Sequence, residues 1–312
     1  MTNQETLKQE EEYFDNLNYA RRNTSVIYPE IDCRSNDIYL PSDPSIPPCD
    51  PIVSKVFNKL QRRAMKVMST NKGNSLDVCC GPGWLTLESA RLGYTANGVD
   101  LSKEGIEMAR QYLQTQPLDI QSSISYSNCK IEDFLSQNSD IRLDLITGWS
   151  AFHHLLDINS FFENIMKNCN PNAIFISFDD LEYDKYTHFL RKFFLFVMPI
   201  RGCSYLQKLV MLFGENRKKY YSRISIDSPA EIEAEKYTSG ANQIFDFFYN
   251  YLDSVEVVYA GGFAEAVAYR LNVSSPEIRR IISISLYIFE NCLMNLGAIK
   301  PRYRLLVGRK RK

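Results

Sequence analysis

The chain has 312 residues, of which 45% are hydrophobic and 23% are charged, and its formal net charge is −1. This composition excludes a disordered chain and a membrane-spanning class, and the lack of a basic excess argues against a nucleic-acid polymer as substrate. Since the length exceeds one minimal domain of ~150 residues, we expect a core domain with insertions.

The first 70 residues are predicted to form an N-terminal helical extension. Residues 4–19 have a charged helical pattern, and residues 52–68 repeat apolar side chains at helical spacing. Between them, residues 41–51 form a proline-rich connector that cannot be helical throughout. We expect residues 1–70 to act as a lid over the core domain.

The most informative pattern of the chain begins at residue 76. Residues 76–80 are a short apolar run, and a Gly-Pro-Gly turn at 81–83 ends it. Apolar residues then recur at helical spacing over 84–92, and residues 96–99 predict a second strand that ends on the acid Asp100. This order of strand, glycine turn, helix, strand and acid predicts half of a nucleotide-binding α/β unit.

The residues around the turn distinguish two classes of ligand. A dinucleotide site needs a third glycine near the pyrophosphate, but Thr86 holds that position and the bulky Trp84 follows the second glycine. Asp77 adds a carboxylate inside the first strand, from which an anionic pyrophosphate gains nothing. A ligand with an ammonium group and a sulfonium does gain, and S-adenosylmethionine carries both, together with a ribose that Asp100 can hold.

The segment from Asp77 to Thr86 resembles the cofactor motif of the class I S-adenosylmethionine-dependent methyltransferases, with Cys79 in the place of the usual first glycine. Segments 97–102, 129–134, 143–157 and 170–177 resemble later motifs of that family, and the phrase at 153–157 is similar to the quinone-biosynthesis and small-molecule group. The resemblance covers roughly residues 70–180 and, more weakly, the C-terminus. It implies an α/β fold with a Rossmann-like, seven-stranded, mostly parallel sheet and helices on both faces.

The resemblance also implies which residues bind the cofactor. These are Asp77, Cys79, Cys80, Gly81, Pro82, Gly83, Asp100, Leu101, Ile131, Glu132, Trp149 and Ser150. The family often has an acid at the position of Lys130, and a lysine cannot accept a hydrogen bond from adenine. Either the backbone of Ile131 and the side chain of Glu132 or Asp133 take that role, or the register of this segment is shifted by one or two residues.

The rest of the chain divides into two predicted regions beyond the core at 71–180. Residues 181–254 are expected to be a helical acceptor-binding insertion, whose apolar stripe at 186–213 carries interleaved cations and forms either a lid or a membrane-contact surface. Residues 255–312 are expected to complete the core with a strand, a helix that opens at Ser275 and a last antiparallel strand. The terminal Arg-Lys-Arg-Lys is interpreted as a solvated tail.

The loops after the fourth and fifth strands carry the candidate catalytic residues His153, His154 and Asp179, since ligands lie at the carboxyl edge of such a sheet. Each histidine could be a general base or could form a hydrogen bond with the substrate. For His154 the favoured interpretation is that it stabilises the loop. Asp179 and Asp180 could bind a substrate ammonium, although a solvated acidic cluster is the favoured interpretation. No acid follows the fourth strand to complete a catechol-type metal site, so no metal is predicted.

The eight cysteines form no Cys-x-x-Cys pair, and Cys79 and Cys80 are adjacent on the predicted strand, where their side chains would point to opposite faces. We interpret all eight as reduced thiols in a cytoplasmic protein, because the first 15 residues are polar and acidic rather than a secretory signal.

The sequence therefore predicts a methyltransferase that uses S-adenosylmethionine to methylate an O, N or C atom of a small, largely apolar or aromatic metabolite. Two alternatives remain open. One is an NAD-type oxidoreductase, and the other is a protein that binds S-adenosylmethionine without catalysis or for an atypical reaction.

Overall fold

The computed structural model describes residues 3–23, 51–155, 157–181, 184–200, 204–208, 240–268 and 270–311. The strands in these ranges are β1 (Gly73–Val78), β2 (Tyr94–Asp100), β3 (Ile124–Asn128), β4 (Leu143–Trp149), β5 (Cys169–Asp180), β6 (Leu252–Ala260) and β7 (Tyr303–Lys310). The helices are α1 (Asn3–Asn23), α2 (Pro51–Met68), α3 (Trp84–Arg91), α4 (Lys103–Leu113), α5 (Leu118–Ser122), α6 (Ile131–Gln137), α7 (Ile158–Asn168), α8 (Lys185–Val197), α9 (Gly240–Tyr251), α10 (Ala264–Ala268) and α11 (Pro276–Asn295).

The strands form one seven-stranded sheet in the order β3-β2-β1-β4-β5-β7-β6. Strands β1 to β5 pair in parallel, whereas β7 runs antiparallel to both of its neighbours, β5 and β6. Helices cover both faces, as parallel strands with helical crossovers require. The predicted fold class, a Rossmann-like and mostly parallel sheet, is confirmed.

Strand β5 shows how the sequence distributes its side chains between the two faces. Ile174, Ile176 and Phe178 pack into the apolar cluster that includes α2 and α3. Ala173 and Phe175 belong to the opposite cluster, which includes α7 and α9. Because strand side chains alternate, Asp179 continues the α9 face at the carboxyl end of the strand.

Polar caps fix the starts of several helices. Ser275 accepts a hydrogen bond from the backbone N–H of Ile278, which confirms the helix start predicted at this serine. Ser102 and Asp157 cap α4 and α7 in the same way. Each cap satisfies a backbone donor that the first turn of a helix leaves without an intrahelical partner.

The prediction of a solvated C-terminal tail is wrong for Arg309 and Lys310. Both belong to β7, and the half-buried Lys310 ammonium donates to the carbonyl oxygens of Met166 and Cys169 at 2.8 and 2.7 Å. These carbonyls lie where α7 ends and β5 begins, so the cation satisfies acceptors at a helix C-terminus. Arg309 and Lys310 are thus part of the sheet.

Two predicted segments lie wholly or partly outside the described residues. The proline-rich connector lies outside them except for Pro51, with which α2 begins. Residues 209–239 of the insertion also lie outside them. None of the helices in the described ranges is long and apolar enough to cross a bilayer.

Candidate cofactor and acceptor site

The glycine turn follows β1 at the carboxyl edge of the sheet. The backbone is left-handed at Gly81 (φ 51°) and at Gly83 (φ 79°), which immediately precedes α3. Glycine takes this conformation at little steric cost. Cys79 also has a positive φ of 51°, so the expectation that Cys79 and Cys80 lie on the strand is wrong. The strand ends at Val78, and both cysteines are part of the turn.

Asp100 connects the end of β2 to this turn. One carboxylate oxygen accepts from the backbone N–H of Gly81 and the other from that of Ser102, both at 2.7 Å. Burial raises the pKa of Asp100, and these two hydrogen bonds oppose the rise. A Cβ built on Gly81 would meet no atom within 4 Å, so open space lies above the turn. Each carboxylate oxygen keeps a further lone pair, so the residue fits a ligand with paired hydroxyls.

Asp77 lies beneath the turn and is buried. Its two oxygens accept from the hydroxyls of Thr86 and Thr147, each at 2.8 Å. Burial raises the pKa of Asp77 to about 7, against the effect of these hydrogen bonds. This contact gives a reason for Thr86 in the motif. Its hydroxyl donates to the buried Asp77 carboxylate, and a glycine at this position could not make that hydrogen bond. Direct contact of Asp77 with a ligand ammonium stays a prediction.

The other predicted cofactor residues gather at the same edge. Cys80 and Pro82 are buried in the turn, and burial raises the pKa of the Cys79 and Cys80 thiols well above the usual range. The carbonyl of Leu101 accepts from the Asn128 side chain. Further members of the set are placed as follows: Ile131 is buried and Glu132 exposed in the first turn of α6, while Trp149 ends β4 and Ser150 follows it with φ 50°.

Helix α1 packs against this edge through polar side chains that the sequence patterns did not single out. Asp15 accepts from the hydroxyl of Ser102 and from the backbone N–H of Glu104, at 2.8 and 3.1 Å. Asn18 donates to the same hydroxyl at 3.0 Å. Since Ser102 also donates its N–H to Asp100, α1 is connected by hydrogen bonds to the residue that faces the glycine turn.

The candidate catalytic residues His153, His154 and Asp179 lie close to one another. The two imidazole rings are 4.2 Å apart between centroids. His154 Nδ1 lies 2.9 Å from the Glu10 carboxylate of α1, and His153 Nδ1 lies 3.6 Å from Asp179 Oδ1. The two histidines therefore face different acids, one on the N-terminal helix and one on the sheet.

The interpretation of Asp179 as part of a solvated acidic cluster is wrong. Asp179 is fully buried near the end of β5 rather than in the loop, and Ser177 donates to its Oδ2 at 2.6 Å. Arg304 is its cross-strand partner on β7, with Nη2 4.0 Å from Oδ2. The sequence could not reveal this pair, since it depends on the register of two antiparallel strands whose partners are far apart in the chain.

A row of stacked aromatic rings lies on the α2 face of the sheet. Trp149 stacks on Phe178 at 4.3 Å between centroids and meets Trp84 edge-on at 5.2 Å. Phe178 in turn stacks on Tyr303 at 5.7 Å. These rings pack in the apolar cluster on the α2 face, on the other side of the sheet from Asp179.

Two further predictions concern features outside this edge. In the parts of the chain that the structure describes, no group of three His, Cys, Asp or Glu side chains could hold a metal ion.

On α8, Tyr186, Phe189 and Phe193 are exposed. Whether the 186–213 stripe is a lid or a membrane contact stays a prediction.

Comparison with known proteins shows a family to which part of the chain is similar. Residues 76–172 match the family described as "Methyltransferase domain". Together with the sheet order and the glycine turn, this match confirms the resemblance to the class I S-adenosylmethionine-dependent methyltransferases, a class of enzymes whose methyl donor is S-adenosylmethionine.

The relatives found by sequence are similar over only part of their length. The chain is 31% identical over 102 residues to the ubiquinone biosynthesis O-methyltransferase of Actinobacillus pleuropneumoniae, covering 32% of this chain and 42% of that protein. It is 28% identical over 158 residues to the protein of the same name from Aeromonas salmonicida, covering 50% and 58%. The matched region thus spans about half the length of these relatives.

Solved structures resemble the chain only at low sequence identity and low structural similarity. The phosphoethanolamine N-methyltransferase 2 of Haemonchus contortus aligns with 81% of this chain and 52% of its own, at 14% identity and a TM-score of 0.43. A Listeria monocytogenes protein described as a putative S-adenosylmethionine-dependent methyltransferase aligns with 80% and 97%, also at 14% and 0.43. The assignment of the fold rests on the sheet order itself.

Proposed function

We propose that the chain binds S-adenosylmethionine at the glycine turn and transfers its methyl group to a small, largely apolar or aromatic acceptor. The observation that carries the proposal is Asp100, held by the backbone N–H groups of Gly81 and Ser102 below open space. That arrangement suits the ribose hydroxyls of the cofactor. The names of the relatives, which are ubiquinone biosynthesis O-methyltransferases, support an aromatic acceptor.

The cofactor supplies a methyl group already activated on a sulfonium, so the protein's work is mainly to align the acceptor and exclude water. In this proposal Asp100 and the turn hold the donor. Helix α1 covers the donor side through Asp15 and Asn18, and the acceptor is held between the His153–Asp179 side and the insertion at 181–254.

Isothermal titration with S-adenosylhomocysteine tests the donor half. The wild-type protein should bind, and Asp100→Ala should weaken binding by roughly 30- to 100-fold, since about 2–3 kcal/mol is typical for hydrogen bonds to a charged group. Asp119→Ala, an exposed acid of α5, is the matched control and should bind as the wild type does. Absence of binding by the wild type, or tighter binding of NAD, would contradict the proposal and favour the oxidoreductase alternative.

Transfer itself needs a second experiment, because a protein can bind the donor without using it. Incubation with methyl-labelled S-adenosylmethionine and a panel of small phenols, hydroquinones and amines should move label into at least one product. Binding of S-adenosylhomocysteine without any labelled product from that panel or from extracted metabolites would support a non-catalytic role.

A further inference from the structure

Resting on the proposed function, we propose that the acceptor atom is a hydroxyl oxygen and that His153 is the general base that takes its proton. Asp179 then acts as a positioning residue behind the imidazole, and Arg304 balances its charge. The starting point is an unpaired atom. Asp179 is fully buried, its Oδ2 accepts from Ser177, and its Oδ1 has no hydrogen-bond partner in the described structure.

The unpaired oxygen has one imidazole nitrogen close to it. His153 Nδ1 lies 3.6 Å from Asp179 Oδ1, which is a few tenths of an ångström beyond a hydrogen bond. Such contacts are often long in the free enzyme and tighten when substrate binds. When Nδ1–H donates to the carboxylate, the lone pair is on Nε2, and this is the ring nitrogen that can take up a proton.

The charges around Asp179 keep it suited to this role. Arg304 lies beside Oδ2, and its guanidinium packs over the Phe245 ring at 5.0 Å. Burial of a carboxylate is costly unless a cation or hydrogen bonds compensate it. The cross-strand register between β5 and β7 therefore places a counter-charge near Oδ2, whereas His153 lies near Oδ1.

The neighbouring histidine is placed for a different task. His154 Nδ1 pairs with Glu10 of α1 and its ring meets Phe14 edge-on at 5.3 Å. The charged and titratable groups near His153 thus include Asp179 from β5, with Arg304 beside it, and the His154–Glu10 pair. His153 thus lies beside an acid of β5, whereas His154 pairs with an acid of α1 and also interacts electrostatically with Asp100.

This arrangement selects the chemistry of the acceptor. A neutral hydroxyl is a weak nucleophile, and general-base removal of its proton typically contributes 10²- to 10⁴-fold in rate. The acceptor oxygen forms its bond to the methyl carbon as the carbon–sulfur bond breaks, and sulfur keeps that electron pair. The hydroxyl proton passes to Nε2 of His153, which leaves a neutral ether and an imidazolium stabilised by Asp179.

Titration of the histidine rings by ¹⁵N NMR tests the pair without any acceptor. The chain has three histidines, so His154→Gln and His188→Gln assign each ring. In Asp179→Asn the titration of the His153 ring should move to lower pH by about one unit, because a nearby carboxylate favours the imidazolium. The His188 ring should not move. An unchanged His153 titration, or a wild-type His153 ring protonated on Nε2 instead of Nδ1, would overturn the proposal.

A pair of phenolic probes then tests the base. His153→Gln should slow methylation of catechol by about 100-fold, but that of 4-nitrocatechol, which is already ionised near pH 8, by less than about fivefold. His188→Gln is the control and should leave both rates unchanged. Equal losses with both probes would mean that His153 only shapes the pocket, and would overturn the proposal. Binding of S-adenosylhomocysteine by His153→Gln, measured in parallel, reports on the proposed function separately. It should stay within about twofold of the wild type, because in this proposal Asp100 and the glycine turn hold the donor.

Discussion

At the scale of single residues, the buried acid beneath the glycine turn determines how firmly the turn is held. Asp77 accepts from Thr86 and Thr147, so Asp77→Ala would leave two buried hydroxyls without this partner. We expect a loss of about 2–4 kcal/mol in the free energy of unfolding, measured by urea denaturation. Asp77→Asn keeps an acceptor and should lose less than half as much. Equal losses in the two variants would show that packing, and not hydrogen bonding, is the cause.

Glu290 gives a second residue-scale prediction, which concerns pH. This side chain of α11 is fully buried and accepts from the backbone N–H of Ala264. Burial raises the pKa of Glu290 from 4.5 to about 7. A raised folded-state pKa stabilises the fold at low pH, and that stability is lost as the pH rises from about 4.5 through 7.

The variant Glu290→Gln keeps the acceptor and removes the titration. The wild type should lose roughly 2 kcal/mol more of its free energy of unfolding than this variant does between about pH 5 and pH 7.5. Chemical denaturation at the two pH values measures the difference. An identical pH dependence in the two proteins would mean that Glu290 is not the group that titrates.

At the scale of elements, the docking of α1 should control the donor site. Asp15 and Asn18 connect α1 to Ser102, so the double substitution Asp15→Ala and Asn18→Ala should release the helix. We expect S-adenosylhomocysteine to bind about tenfold more weakly, corresponding to the loss of about one net hydrogen bond, and α1 to be cleaved faster in limited proteolysis. Glu12→Ala is the control, because Glu12 pairs only weakly with Lys8 on the exposed side of the helix. Unchanged affinity in the double variant would separate α1 from the donor site.

The elements also show what the sequence could predict and why. Local patterns gave the strand before Gly81, the acid Asp100 and the helix that begins after Ser275, because each depends on neighbours within a few residues. The contacts of Asp15 with Ser102 and of Asp179 with Arg304 depend instead on how distant elements dock. Sequence periodicity reveals that a face is polar or apolar, but not which partner it meets. The glycine turn and Asp100 were therefore predictable, whereas the contacts of Asp15 and Asp179 were not.

At the scale of the whole molecule, the sheet depends on its last strand. β7 lies between β5 and β6, and β6 pairs with no other strand in the described sheet. A protein that ends before Tyr303 would thus lose two strands and should not fold. Removal of Arg311 and Lys312 should cost less than about 1 kcal/mol, since Arg311 contributes an exposed ion pair with Asp253.

A substitution of Lys310 tests whether the last residues of the chain stabilise the sheet or behave as a solvated tail. Its ammonium donates to the carbonyls of Met166 and Cys169, so it connects the end of the chain to the start of β5. Lys310→Met keeps the apolar stem and removes both charged hydrogen bonds, and we expect a loss of about 1.5–3 kcal/mol in urea denaturation. Arg311→Met is the matched cation control. If both substitutions cost the same small amount, the terminal cations would be solvated, and the contacts of Lys310 would contribute nothing to the stability of the sheet.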